Sequence, residues 1–234
     1  MLPERYSISS GSSQLEKEFS IEPHKGYQPR YNAAPTQLLP VITSAGREGL
    51  SFFFWGTIPG WSNNRAISKK LLTASGEELL VKNSYKQAVS SRRCVVPMDG
   101  FYGWKKVGKK TKVPFRVALN DNLLSCFAAI WDEFDDEKDE RRHVFRIVTV
   151  NANSIVSELD ETMPLVLNKE MREQWLDPKT TLEDLSKILD TPYPEEGMFK
   201  YTITSKIEDI NYDLPDLLNQ VRPMDQHGNY SLFD

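Results

Sequence analysis

The stretch RRCVVPMDGFYGWKK, Arg92 to Lys106, decides how this chain is read. It opens as an apolar run, breaks at Asp99-Gly100, and resumes as three aromatics, Phe101, Tyr102 and Trp104, around Gly103. That is the pattern of strand, Asp-Gly turn and strand. Side chains alternate along a strand, so Gly103 leaves one position empty between Tyr102 and Trp104. Either something approaches closely there or a side chain has been lost.

Working outward, the neighbouring segments are also short and rich in β-formers. NAAPTQLLPVIT (32–43) reads as a proline-bounded loop entering a strand, and LSFFFWGTIP (50–59) as an aromatic strand ended by Pro59-Gly60. VPFRVAL (113–119) alternates, with Val113, Phe115, Val117 and Leu119 on one face. LLSCFAAIWDEF (123–134) and HVFRIVTV (143–150) are strand-like, with a solvated hairpin tip between them. LEKEF (15–19), RAISKKLL (65–72), YKQAVSS (85–91), NSIVSELD (153–160), KEMREQWL (169–176) and TLEDLSKIL (181–189) read as helical, the last capped by Thr180 or Thr181. Strands and helices are interspersed without a βαβ rhythm. The expected fold is therefore α+β, a curved, mostly antiparallel sheet or barrel with surrounding helices, as one domain over residues 1–234.

Composition bounds the function. The 33 acidic against 29 basic residues leave a net charge of −4, so there is no global basic field and any nucleic-acid contact must be local. No apolar run approaches the ~20 residues of a membrane span. The start, MLPERYSISS, lacks an apolar signal core, so a cytoplasmic protein is expected, neither secreted nor membrane-bound. Cys94 and Cys126 lie in apolar runs and read as buried thiols of a reducing compartment. His24, His143 and His227 are scattered, so no metal site and no cofactor are expected. No P-loop, dinucleotide fingerprint or Ser-His-Asp order is present.

Three clusters combine aromatic and basic or amide residues: FFFWGTIPGWSNNR (52–65), Arg92-Arg93, and GFYGWKKVGKKTK with its five lysines. Aromatics offer stacking platforms for bases and nearby cations neutralise phosphates. Phe52 and Phe54 read as core; Trp55 reads both as core and as a stacking residue. The lysine run also reads as a plain hairpin loop. Asn63, Asn64 and Arg65 suit a recognition loop better than a core.

The ordered set RYSIS, YNAAPTQLLPVI, FFWGTIPGWSNNRAIS, RRCVVPMDGFYGWKK, VPFRVAL, FAAIWDEF, FRIVTVNANSIVSELDETMPLVL and YTITSKIEDINYDLPDLL resembles the SRAP family, the SOS-response-associated peptidase or abasic-site processing proteins. The resemblance runs over nearly the whole chain. It implies an α+β domain around a barrel-like core that binds single-stranded DNA and captures abasic sites covalently.

The resemblance also implies a set of working residues, and this chain departs from it. The family's exposed cysteine after the initiator methionine supplies amine and thiol for a thiazolidine; here that position is Leu2 counting forward or Pro3 counting back from Arg5. The glutamate of the family's GFYEW string is Gly103 here. The histidine and arginine of its HDRMP-like string fall on Asp160 and Thr162. In the NARAET-like string, asparagine and arginine remain as Asn63 and Arg65, and the glutamate becomes Ile67.

Three expectations follow. The first is a DNA-damage-response protein that binds single-stranded or abasic-site DNA without thiazolidine capture. Asn63 and Arg65 would hold phosphate and sugar, Trp55 and Trp61 would stack against bases, and Arg92 or Arg93 would add backbone contacts. The second is an active abasic-site enzyme, crosslinking or cutting through the Met1 α-amine, which is partly neutral near pH 7. The third is a DNA-independent interaction module on the same scaffold.

Overall fold

The structure, a computed structural model, describes residues 2–22, 24–57, 71–108, 110–136 and 138–230. In chain order the described strands begin with β1 (Arg5–Ile8), β2 (Arg30–Ala33), β3 (Leu38–Thr43), β4 (Ser51–Trp55), β5 (Thr73–Ser75) and β6 (Arg93–Met98). There follow β7 (Gly100–Val107), β8 (Thr111–Leu119), β9 (Ser125–Asp135), β10 (Arg141–Asn151), β11 (Thr162–Pro164), β12 (Val166–Leu167) and β13 (Met198–Thr202).

Five strands close on themselves. β4 pairs with β3, β3 with β6, β6 with β9 and β9 with β10, all antiparallel. The ring is shut by a parallel pairing of β10 with β4, Phe145 opposite Trp55. Closure removes the exposed edges of the sheet, and the interior is filled by side chains. Trp55 stacks on Phe145 with centroids 6.3 Å apart, and Phe127 lies inside. β5 adds parallel to β10, while β11 and β12 flank β10 and β9. The expected α+β fold with a mostly antiparallel barrel-like core is present.

The second sheet has the order β13-β8-β7-β1-β2. Its inner face lays Tyr6 and Phe101 onto the barrel. Tyr6 meets Trp55 at 5.5 Å and Phe127 at 5.7 Å, edge to face, a favoured aromatic geometry. Its outer face carries a smaller cluster of Tyr102, Ile203, Ile207 and Leu217, with Tyr31, Trp104 and Tyr212 packed around it. Asn32 ties the C-terminal segment down: its Nδ2 donates to the carbonyls of Asp209 and Tyr212, both at 3.0 Å.

Asp99-Gly100 is not a hairpin turn, as the sequence suggested. β6 pairs within the barrel and β7 within the second sheet, so Asp99 is the corner where the chain changes sheets. The reason is chemical: the Asp99 carboxylate accepts from Ser7 Oγ at 2.6 Å, from Ser9 Oγ at 2.7 Å and from the Ser9 N–H. These bonds pull the corner toward β1 instead of folding β7 back on β6.

The aromatic strand β4 is also phased differently from expectation. Phe53 and Trp55 point inward and are buried, while Phe52 and Phe54 are half-buried on the other face. An all-apolar run gives period-2 reading no polar residue to set the phase; the β10 pairing sets it. The helix at Lys169–Leu176 matches the expected bounds, and Asn168 Oδ1 caps it by accepting from Met171 N–H at 2.8 Å. Thr181 caps Leu182–Leu189. The helical reading of 65–72 and the turn at Pro59-Gly60 fall almost wholly outside the described residues. No helix among the described residues is long and apolar enough to cross a membrane.

Candidate functional site

β7 builds the site. Along it Phe101 points to the barrel, Tyr102 and Trp104 to the outer face, and Gly103 to the barrel side again. Tyr102 donates its hydroxyl to the Tyr31 carbonyl at 2.7 Å and is fully buried. Trp104 donates Nε1 to Glu208 at 2.6 Å, and Lys112 sits 4.7 Å over its ring while pairing with Glu208 at 3.0 Å. Two of the three aromatics therefore serve the outer cluster.

Gly103 is explained by close approach. A Cβ placed on it would lie 3.1 Å from Leu2 Cδ2 and 3.2 Å from Leu159 Cδ1, tighter than ordinary carbon contacts. Leu2 is 3% exposed and Pro3 is buried too, but of the two it is Leu2 whose side chain reaches Gly103. Sequence reading singled out positions 2 and 103 separately and gave no sign that they touch. Nor did it point to Leu159, which closes the same space.

Asp160 follows Leu159 and is held by Thr162, whose N–H and Oγ1 both donate to its Oδ1 at 3.1 Å. Burial raises its pKa, but hydrogen bonds, those from Thr162 among them, outweigh that and hold the carboxyl below its ordinary value. On the other side of Leu159, Glu158 bridges Lys200 at 2.8 Å and Lys105 at 2.9 Å. A cavity of about 670 Å³ opens beside Asp160. Glu77, Glu78 and Glu161 line it with Asp160, and Lys82, also in its wall, is paired with Glu78 at 2.8 Å. Four carboxylates and one lysine thus line this side of the site.

Of the remaining expected residues, those that the structure describes, Trp55, Arg92 and Arg93, are engaged elsewhere. Trp55, expected to stack on a base, is wholly buried, and its Nε1 donates to the Leu72 carbonyl at 3.0 Å. No face of its ring is open; the closed barrel takes it as core. Arg93, expected on DNA, is 2% exposed and its guanidinium donates to the carbonyls of Trp175 at 2.6 Å, Asp177 at 2.5 Å and Val89. It ends two helices. Arg92 is bound by Asp132 at 2.5 Å and Glu133 at 2.9 Å and lies 5.3 Å over the Trp131 ring, so its charge is already balanced. Met1, Trp61, Asn63, Arg65 and Ile67 lie outside the described residues. Burial pushes the Cys126 thiol up to about 12 and the Cys94 thiol up further, so neither is a nucleophile near neutral pH. Among the described residues no group of three His, Cys, Asp or Glu side chains is placed to hold a metal ion.

A closed barrel carrying a second sheet is the architecture of a known class. The profile of the family described as SOS response associated peptidase (SRAP) matches residues 3–210, and the chain belongs to that family. It is similar to the abasic site processing protein YoqW of Bacillus subtilis, 30% identical over 218 residues that cover 92% of this chain and 97% of that one. It is also similar to the abasic site processing protein HMCES of Gallus gallus, 26% identical, covering 92% of this chain and 76% of that one. A crystal structure of a protein from Bacteroides thetaiotaomicron shares the fold with a TM-score of 0.79 at 22% identity, over 93% of this chain and 99% of that chain.

Proposed function

We propose that this chain binds single-stranded DNA, including DNA with abasic sites, through non-covalent contacts, without the thiazolidine capture that its family resemblance implies. The observation that carries the reading is the packing of Leu2 and Leu159 against Gly103. The space that would take a thiol and a carboxylate is filled by two leucines. A thiazolidine needs an amine and a thiol on neighbouring carbons, and neither Leu2 nor Pro3 has sulfur. The names of the relatives, abasic site processing proteins, support the DNA class.

In this reading Asn63 and Arg65 hold phosphate and sugar and Trp61 stacks on a base. Arg92 adds to the field only in competition with Asp132 and Glu133.

The test pairs a salt titration with a denaturing gel. Binding to single-stranded DNA is expected to weaken steeply with salt, as counterion release requires, and abasic single-stranded DNA is expected to give no heat-stable adduct. A shifted band that survives denaturation without reductant overturns the non-covalent reading. A band seen only after borohydride assigns amine chemistry to the chain start. Absence of binding at low salt leaves the fold as a DNA-independent interaction module.

A further inference from the structure

The outer face of the second sheet carries a groove of about 990 Å³ that Leu2, Gly103 and Asp160 do not line. It lies on the opposite side of β7 from Gly103, because Gly100 and Tyr102 share the outer face and Gly103 does not. Its floor is Arg116. A Cβ on Gly100 would come within 2.7 Å of the Arg116 Cζ and Nη2, so the guanidinium is laid directly on the glycine backbone. Asp99 Oδ1 at 3.1 Å and the Asp99 carbonyl at 2.9 Å fix one end, and the Tyr201 hydroxyl at 3.0 Å fixes the other.

We propose that this groove is a second ligand site and that it takes a nucleobase, an uncharged planar ring with hydrogen-bonding edges. Three features select that class. First, the charges do not favour an anion: Arg116 is neutralised by Asp99, Asp121 adds a negative charge, and the Lys200 ammonium is held by Glu158 at 2.8 Å and the Ile155 carbonyl at 2.7 Å. Second, four carboxamides line it: Gln14, Asn122, Asn219 and Gln220. Gln14 Oε1 already accepts from the Gly11 N–H at 3.0 Å and Asn122 Oδ1 from Arg116 Nη1 at 3.5 Å, while Asn219 and Gln220 each carry a donor and an acceptor side by side, the pattern that reads a base edge. Third, Phe199 and Tyr201 stack in parallel, centroids 5.7 Å apart, and Phe199 is 36% exposed. A base continues such a stack. The volume suits a small organic ligand, for which pockets run roughly 300–1,000 Å³. The site does not depend on the strand-binding reading above, because it shares no residue with it.

Equilibrium dialysis of the full chain against each of the four common nucleosides, and against their 5′-monophosphates, tests it. At least one nucleoside is expected to bind, and its monophosphate to bind more weakly. Phe199→Ala is expected to weaken binding by about fivefold or more, the low end of what losing one base–aromatic stack costs, with an unchanged melting temperature. Asn219→Ala is expected to change the preference among bases. No binding of any nucleoside at millimolar concentration, tighter binding of a monophosphate, or full binding by Phe199→Ala overturns the proposal. Competition with oligothymidylate identifies the source: displacement by the nucleoside places a strand's base in the groove, and no displacement assigns the groove to free nucleoside.

Discussion

Leu2 occupies the space that a side chain at position 103 would need, coming within 3.1 Å of where its Cβ would stand. The two positions are 101 residues apart in sequence and fit each other as bulk and absence. Gly103→Ala is expected to destabilise by ~1–3 kcal/mol, the usual cost of overpacking. In a Leu2→Ala background the same change is expected to cost less, because the two Leu2 methyls are gone and only Leu159 Cδ1, 3.2 Å away, still presses on the new Cβ. Urea unfolding of the four proteins in this cycle reads the coupling. Additive effects of the two substitutions would mean that Leu2 does not constrain position 103.

The arginines expected on DNA should separate in opposite ways. Arg65→Ala is expected to weaken single-strand binding by ~1–3 kcal/mol with the fold intact, the cost of a lost charge-assisted contact. Arg93→Ala is expected to act on stability instead, because it leaves three carbonyls, those of Val89 and Trp175 in buried contacts and that of Asp177 partly buried, without their donor. Binding isotherms and melting curves on both variants distinguish the roles. Loss of DNA binding by a fully stable Arg93→Ala protein would contradict its structural assignment.

This division shows what the sequence carries and what it does not. Helix Lys169–Leu176 and strand β8 were legible because amphipathic period and caps are local signals. The phase of Phe52 to Trp55 was not, since every residue in the run is apolar and only the β10 pairing chooses the inward face. Arg93 looked like a surface cation beside Arg92, yet Arg92 closes the helix Lys86–Ser91 while Arg93 opens β6, and the carbonyl partners of Arg93 come from Val89, Trp175 and Asp177. Gly103 was legible as a missing side chain; its filler was not, because Leu2 is distant in sequence and only the β1–β7 pairing brings it there. Arg116 drew no attention in the sequence, and its burial depends on Asp99 at the sheet corner, which pairs with it at 3.1 Å.

That buried pair yields a stability prediction. Asp99 and Arg116 have side chains 4% and 2% exposed. Asp99→Ala leaves the guanidinium buried without its counter-charge and is expected to cost ~3–5 kcal/mol. Combining it with Arg116→Met is expected to recover part of that loss, since the uncompensated charge is removed. Chemical denaturation checks both. A single variant within about 1 kcal/mol of the parent would show that water reaches the pair.

Glu158 gives a pH signature. Hydrogen bonds from Lys200 and then Lys105 lower its carboxyl to about 2. A folded pKa below the unfolded value of ~4.3 means the carboxylate stabilises the fold above that pH. The contribution is lost as pH falls from about 4.3 toward 2. The side chain is 52% exposed, so screening limits the effect to below ~1 kcal/mol. Glu158→Gln is expected to be slightly less stable than the parent at pH 6 and equal to it near pH 2. A difference that persists unchanged at the acid end would assign the effect to packing and not to charge.

The strongest prediction is restoration. The variant carries Leu2→Cys behind a removable Met1, with Gly103→Glu and Asp160→His. Gly103→Glu alone is expected to fold poorly, because Leu2 and Leu159 stand within 3.2 Å of its Cβ. Leu2→Cys shortens the nearer neighbour and makes room for the carboxylate. Amine and thiol then share one carbon framework, so ring closure on an aldehyde is intramolecular and gains a high effective concentration. The new glutamate points to the barrel side, opposite Tyr102 and Trp104, as the alternation of β7 requires. The histidine stands next to Leu159 and supplies a group that titrates near neutral pH. Partial recovery of heat-stable capture of abasic single-stranded DNA is the expected result, read on a denaturing gel. Adding Leu159→Ala is expected to raise the yield by clearing the second contact. A variant that folds and binds single-stranded DNA yet forms no adduct over hours, with Leu159 present or removed, would show that the pocket has diverged in shape as well as in its reactive groups.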